Sequence, residues 1–221
     1  MKILAVSDEE VDTLWEHYQP GRLAEYDLIL SCGDLNHNYL EFLVTMARCP
    51  VLYVPGNHDV SYVRRPPEGC DCIDDRIVEY NGLRILGLGG CRRYHPGPYQ
   101  YTEKEMRRRI RKLRFALWRT KGVDIVVTHA PPYGVGDALD RAHWGFSALL
   151  ELLDKYKPKY LLHGHVHMRY GAGPRENRYG QTQVINVSER YVLDVPDVPC
   201  PPEKRKMLIW RNRGPKQREE D

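Results

Sequence analysis

Val51-Leu52-Tyr53-Val54-Pro55-Gly56-Asn57-His58-Asp59 runs from four apolar residues into a glycine and three side chains able to bind or orient a metal ion. Valine and tyrosine favour a buried strand, and the stop at Pro55-Gly56 marks its end. Open α/β sheets place ligand sites just outside the carboxyl ends of their strands, so polar residues at this point are candidates for chemistry.

Outward from that segment the same event recurs. Ile3–Val6 is followed by Asp8 and Glu10, and Leu28–Leu30 by Gly33 and Asp34. Ile125–Thr128 is followed by His129, and Tyr160–Leu162 by Gly164, His165 and His167. Arg84–Leu88 and Gln183–Val187 are two further apolar runs of strand type. Helical patterns lie between several of these strands, which is the alternation of an α/β domain.

The clearest helix starts at Thr102, where Thr102 and Glu105 form a capping-box pattern ahead of Met106, Ile110, Leu113 and Leu117; it is expected to run to about Thr120. Its other face carries Arg107, Arg108, Arg109, Arg111, Lys112 and Arg114, read as a solvated face ahead of an anion-attracting patch. A second helix is expected over Ser147 to Tyr156, burying Leu149, Leu150 and Leu153 and ending before Pro158. A third is expected over Asn38 to Ala47.

Taken singly, an aspartate after a strand is most often a turn or cap residue, and a lone histidine such as His17, His37, His95 or His143 is a surface or satisfied residue. Gly164-His165-Val166-His167 is more specific, because alternate residues of an extended segment point the same way and two imidazoles can then serve neighbouring ions. The full order is Asp-x-Glu, Gly-Asp, Gly-Asn-His-Asp, Thr-His and Gly-His-x-His. It resembles the calcineurin-like metallophosphoesterases, whose motifs run Asp-x-His, Gly-Asp, Gly-Asn-His-Asp/Glu, His and Gly-His-x-His. The match covers roughly Ile3 to His167.

The resemblance implies a two-sheet α/β/β/α sandwich and a phosphoesterase that uses a hydroxide bridging two divalent ions. One ion would be held by Asp8, Asp34 and His167, with Glu10 where the family usually has histidine. The other would be held by Asp34, Asn57, His129 and His165, with Asp34 bridging. His58 would stand beside the ions as a proton donor, oriented by Asp59. Glu10 adds negative charge and a harder ligand, which puts Mn²⁺ first among the candidates, with Mg²⁺, Fe and Zn²⁺ behind it. Glu9 is an adjacent competitor for that place, and Asp8, Glu9 and Glu10 could also simply begin a helix after the first strand. The expected substrate is a small-molecule phosphate ester, phosphodiester ahead of phosphomonoester; Arg92, Arg93, Tyr94 and His95, with Tyr99 and Tyr101 nearby, read either as a rim for a nucleotide-derived group or as plain packing and solvation. The alternative is a catalytically silent scaffold of the same fold that serves protein–protein interaction.

Composition is consistent with this. A chain of 221 residues, 42% hydrophobic, is long enough to bury one core, and a net charge of +3 lacks the strong basic bias of a nucleic-acid binder. The apolar start, Ile3 to Val6, is too short for a secretory signal, and no apolar run suits a membrane span, so a cytoplasmic protein with six free thiols is expected. Residues 1–195 read as one domain, and 196–221 as a proline-rich, charged segment with one short strand around Leu208.

Overall fold

The computed structural model describes residues 1–168 and 173–196, together with the backbone of Leu208–Trp210. The remainder of the proline-rich and charged segment lies outside the described residues.

Two sheets stack face to face. In the first, β1 (Lys2–Ser7), β2 (Leu28–Ser31), β3 (Val51–Tyr53) and β4 (Asp71–Cys72) pair in parallel, and β13 (Glu189–Asp194) closes the β1 edge antiparallel. The second has at its centre the parallel set β6 (Leu83–Leu88), β9 (Ile125–Thr128), β10 (Tyr160–His163) and β12 (Thr182–Asn186). Antiparallel strands flank that centre: β5 (Arg76–Tyr80) and then β14 (Leu208–Trp210) beside β6, and β11 (Glu176–Tyr179) beside β12. A short pair, β7 (Cys91–Arg92) and β8 (Gln100–Tyr101), stands apart.

Side-chain alternation sorts each strand between two layers. Ile3 and Ala5 of β1 point inward to meet Ile85, Ile125 and Ile185 between the sheets, while Leu4 and Val6 point outward against Tyr39, Leu40 and Leu43 of α1 (His37–Met46). On the far side, Leu86, Val126 and Leu161 pack against α2 (Glu103–Lys112), α3 (Arg114–Arg119) and α4 (Ser147–Tyr156). Strands buried on both faces must be apolar throughout, which is why they were legible as runs rather than as alternation.

The capping box at Thr102 is present: Thr102 Oγ1 accepts from Glu105 N at 3.2 Å, and Glu105 Oε2 accepts from Thr102 N at 2.7 Å. The single helix expected to run to Thr120 is instead broken at Leu113, whose N–H bonds to Ile110 O three residues back at 3.1 Å. That tightened turn redirects the chain so that Met106, Leu113 and Leu117 all stay buried. Arg109 is a second correction: it leaves the solvated face and is buried. In α4 it is Leu152, not Leu150, that joins Leu149 and Leu153 in the core, and Lys157 ends the helix in the left-handed region before Pro158.

The strands missed in the sequence are β4, β7 and β8, each two residues long, and β5, β11 and β13, which are antiparallel and interleave polar with apolar side chains. Asn81-Gly82, both at positive φ, makes the tight turn from β5 to β6 and is the signal that marks this hairpin. No helix among the described residues is long and apolar enough to cross a membrane.

Arg84 at the start of β6 grips Asp124 before β9, Nε to Oδ2 at 2.8 Å and Nη2 to Oδ1 at 2.6 Å, and Arg84 N also donates to Oδ2. Burial pushes the Asp124 carboxyl up, but these bonds outweigh it and hold the group below its ordinary value. A depressed carboxyl contributes stability above its unfolded pKa, about 3.9, and loses it as pH falls through the folded value. Asp124→Asn is therefore expected to cost about 1–3 kcal/mol at neutral pH. Urea midpoints for this variant and the wild type should converge below about pH 4.

Candidate metal centre

The loops after β1, β2, β3, β9 and β10 converge at one end of the two sheets. They approach backbone to backbone, which restricts side chains there. A Cβ on Gly33, at φ +94°, would meet Gly56 N at 2.4 Å, and one on Gly164 would meet Ser7 Oγ at 1.9 Å and Asp8 Oδ2 at 2.5 Å. Asp8 (φ 68°), Asp34 (φ 56°) and His165 (φ 69°) all hold left-handed backbone. This conformation costs roughly 1–3 kcal/mol per residue outside glycine and persists where the surroundings impose it, most often at functional sites.

His129 is at the centre and has no exposed surface. Its Nδ1–H donates to Cys32 O at 2.8 Å, which fixes the ring, while Nε2 faces Asn57 Oδ1 at 3.0 Å and Asp34 Oδ2 at 3.1 Å. A histidine tied to a carbonyl through one nitrogen and aimed with the other at converging oxygens is the arrangement of a metal ligand with its supporting bond. Asp34 Oδ1 accepts from His58 N at 2.7 Å. The buried His165 donates its backbone N–H to Asp8 Oδ1 at 2.9 Å and its Nε2–H to Ala142 O at 2.8 Å. One ligand atom from each of Asp34, His129 and His165 lies within 4.8 Å of the others.

The charges are strongly coupled. Burial disfavours the Asp34 carboxylate, but the His129 charge and hydrogen bond and the His58 N–H overcome this and bring it to about 2. Burial likewise opposes a charge on His129, yet Asp34 and Asp8 raise it to about 9. Burial and then repulsion from His129 push His165 down to about 3. Burial raises Asp8, with His129 opposing. A cluster that holds one cation on His129 between carboxylate and amide oxygens offers the hard oxygen and imidazole donors that suit a divalent metal.

The other sequence-predicted residues are placed as follows. Asp59 is buried, with its carboxyl raised by burial and by Asp34 to about 7, and its Oδ2 accepts from Asp34 N at 2.8 Å and Gly56 N at 2.7 Å. It thereby ties together the loops carrying Asp34 and His58. His58 is exposed at the edge of the cluster. His167 Nδ1 lies 3.2 Å from Glu9 Oε1, whereas Glu10 Oε1 accepts from Asn36 N at 3.1 Å, at the start of α1. No helix begins at Asp8–Glu10: a short 3-10 turn, Asp12–Leu14, follows instead.

Sequence reasoning missed the supports. Cys32 and Ala142 act through backbone carbonyls, for which no side-chain signal exists. The sequence offers Tyr94 as a rim or packing residue, yet its hydroxyl accepts from Asn57 Nδ2 at 3.2 Å and so orients a candidate ligand. His143, read as a lone surface residue, lies 5.0 Å from the His165 ring, centroid to centroid, and pairs with Asp140 at 2.8 Å.

Residues 1–169 match the family described as calcineurin-like phosphoesterase. UPF0046 protein K07C11.7 of Caenorhabditis elegans is 23% identical over 222 residues, covering 86% of this chain and 70% of that protein. UPF0046 protein C25E10.12 of the same organism is 29% identical over 153 residues, covering 62% of this chain and 50% of that protein, so the chain spans about half the length of this relative. Among solved structures, TT1561 of Thermus thermophilus is similar with a TM-score of 0.59 at 17% identity, over 96% of this chain and 99% of that one, a likeness of fold alone.

Proposed function

The chain belongs to the calcineurin-like phosphoesterase family, and from that premise we propose that it is a dinuclear metal-dependent hydrolase of phosphate esters. The observation that carries this reading is His129: fixed through Nδ1, it aims Nε2 between Asp34 Oδ2 and Asn57 Oδ1 in a buried cluster with His165. Asp34, Asn57, His129 and His165 would hold one ion. Asp8, Asp34 and His167, with a carboxylate from Glu9 or Glu10, would hold the other, and Asp34 would be common to both. Two divalent ions so held would supply Lewis acidity toward the phosphoryl oxygens and an activated water.

The protein's own residues do the rest. The His129 charge and hydrogen bond keep the Asp34 carboxylate ionised, and the His58 N–H, donating to Oδ1, adds to this. His58, exposed beside it, is assigned the proton that the leaving oxygen takes up. Asp59 acts as a positioning residue, because its bonds to Asp34 N and Gly56 N hold the turn from which His58 projects. Phosphodiesters stand ahead of phosphomonoesters and Mn²⁺ ahead of Mg²⁺, Fe and Zn²⁺ in this reading, which takes the protein as a cytoplasmic enzyme.

The test is hydrolysis of bis(p-nitrophenyl) phosphate and p-nitrophenyl phosphate by metal-stripped protein given Mn²⁺, Mg²⁺, Fe²⁺ or Zn²⁺ in turn. Metal-restored turnover is expected, fastest with the diester and Mn²⁺. Two ions bound per chain with no turnover on either ester would favour the scaffold alternative instead, and no metal binding at all would sink both the centre and the enzyme.

The carboxylate beside His167 can be identified separately. Glu10 is engaged at the N-terminus of α1, so Glu10→Gln, which keeps an acceptor for Asn36 N, is expected to retain two ions per chain. Glu9→Gln is expected to lower occupancy toward one. Metal content after dialysis, measured by mass spectrometry, checks this, and the reverse order would assign the ligand to Glu10.

A further inference from the structure

We propose that the cavity adjoining the metal centre binds a second oxyanion, phosphoryl or carboxylate, on the part of the substrate that does not react; this rests on the phosphoesterase reading. The cavity has a volume of about 630 Å³, within the range of small-molecule sites. Arg92, Tyr94, Glu103, Arg141 and Trp144 are among the residues that line it. Both of its walls are bonded to candidate metal ligands. On one side the Tyr94 hydroxyl holds Asn57 Nδ2 at 3.2 Å. On the other, Ala142, next to Arg141, accepts from His165 Nε2 at 2.8 Å. A substrate phosphoryl group at the centre would therefore have its organic part beside this cavity.

The charge within it exceeds what a simple ester needs. Arg93 is committed to Glu105 at 2.9 Å and to Gln100 O. Glu103 Oε1 accepts from Ala148 N of α4 at 2.5 Å and faces Arg107 one turn along α2 at 3.5 Å, while its Oε2 is buried without a hydrogen-bond partner. Asp140, the acid nearest Arg141 in sequence, turns back to His143 Nδ1 at 2.8 Å and to Ala142 N. Arg92 and Arg141 have no carboxylate partner among the described residues. The Arg92 guanidinium lies over the Trp144 ring, 5.2 Å from its centroid, and Trp144 Nε1 donates to Leu139 O at 3.1 Å. Stacking orders a guanidinium and leaves its in-plane N–H donors free, the fork that accepts a phosphate or carboxylate through two bonds.

A matched six-carbon series tests this by calorimetric binding to the Mn²⁺-loaded protein, with no turnover required. The probes are fructose 6-phosphate, 6-phosphogluconate and fructose 1,6-bisphosphate. Fructose 1,6-bisphosphate, 6-phosphogluconate or both are expected to bind about tenfold or more tightly than the monophosphate, and their order tells phosphoryl from carboxylate. In Arg92→Gln/Arg141→Gln the advantage should fall to less than threefold, while Arg108→Gln, on the exposed face of α2, should keep it. Equal binding of all three probes by the wild type, or an advantage that survives the double variant, would overturn the proposal. A retained advantage in a protein that hydrolyses no ester would leave the oxyanion pocket standing and remove the hydrolase reading.

Discussion

Replacing Asp34 by asparagine is expected to lower metal-restored hydrolysis by about three orders of magnitude, equivalent to about 4 kcal/mol of lost transition-state stabilisation. Asparagine tolerates the left-handed backbone that Asp34 adopts at φ 56°, and its side-chain oxygen can still accept from His58 N, so the loop should survive. What disappears is the anionic oxygen facing His129 at 3.1 Å, the one carboxylate assigned to both ions. Metal content per chain should fall with turnover, while the urea midpoint should change far less than activity. Near-wild-type turnover at full metal occupancy would remove Asp34 from the bridging role.

Arg109→Ala should destabilise the fold by about 3 kcal/mol, because it removes a buried guanidinium and leaves the partly buried Asp74 and the half-exposed Asp75 without their partner. Arg109 donates to Asp74 Oδ1 at 2.5 Å, Asp75 Oδ1 at 2.9 Å and Gly89 O at 2.8 Å, and lies over the Tyr101 ring, 4.2 Å from its centroid. Asp74 Oδ1 also accepts from Gly89 N, and the next residue, Gly90, donates to Pro55 O at 2.7 Å. The arginine thus secures the loop on which Pro55 and Gly56 rest, ahead of Asn57. Chemical denaturation should show the loss. Arg109→Met with Asp74→Asn and Asp75→Asn should recover part of it, since the uncompensated charges go too. A shift below about 1 kcal/mol in the single variant would show that Arg109 behaves as an ordinary surface residue.

Arg109 also shows where one-dimensional reading stops. Six basic residues lie between Arg107 and Arg114, and nothing in that pattern distinguishes the one that turns inward. The distinction comes from Asp74 and Asp75, more than thirty residues earlier, which reach α2 only because β5 and β6 fold back as a hairpin. Glu9 and Glu10 are a similar case: the family spacing points to Glu10, but the N–H it accepts from belongs to Asn36, beyond the second strand. A hydrogen bond between distant segments leaves no local periodicity for a reader to find.

By itself the sequence determined the strand ends and the order of metal-binding residue types, because doubly buried strands must be apolar and the residues following them are then conspicuous. It also determined the capped start of α2, a local matter of Thr102 and Glu105. The tertiary structure alone decided which oxygens converge on His129, which glutamate lies beside His167 and which arginines remain unpaired in the cavity beside the centre. Those outcomes depend on distances between loops brought together by the stacking of two sheets, and such distances are properties of packing rather than of spacing along the chain.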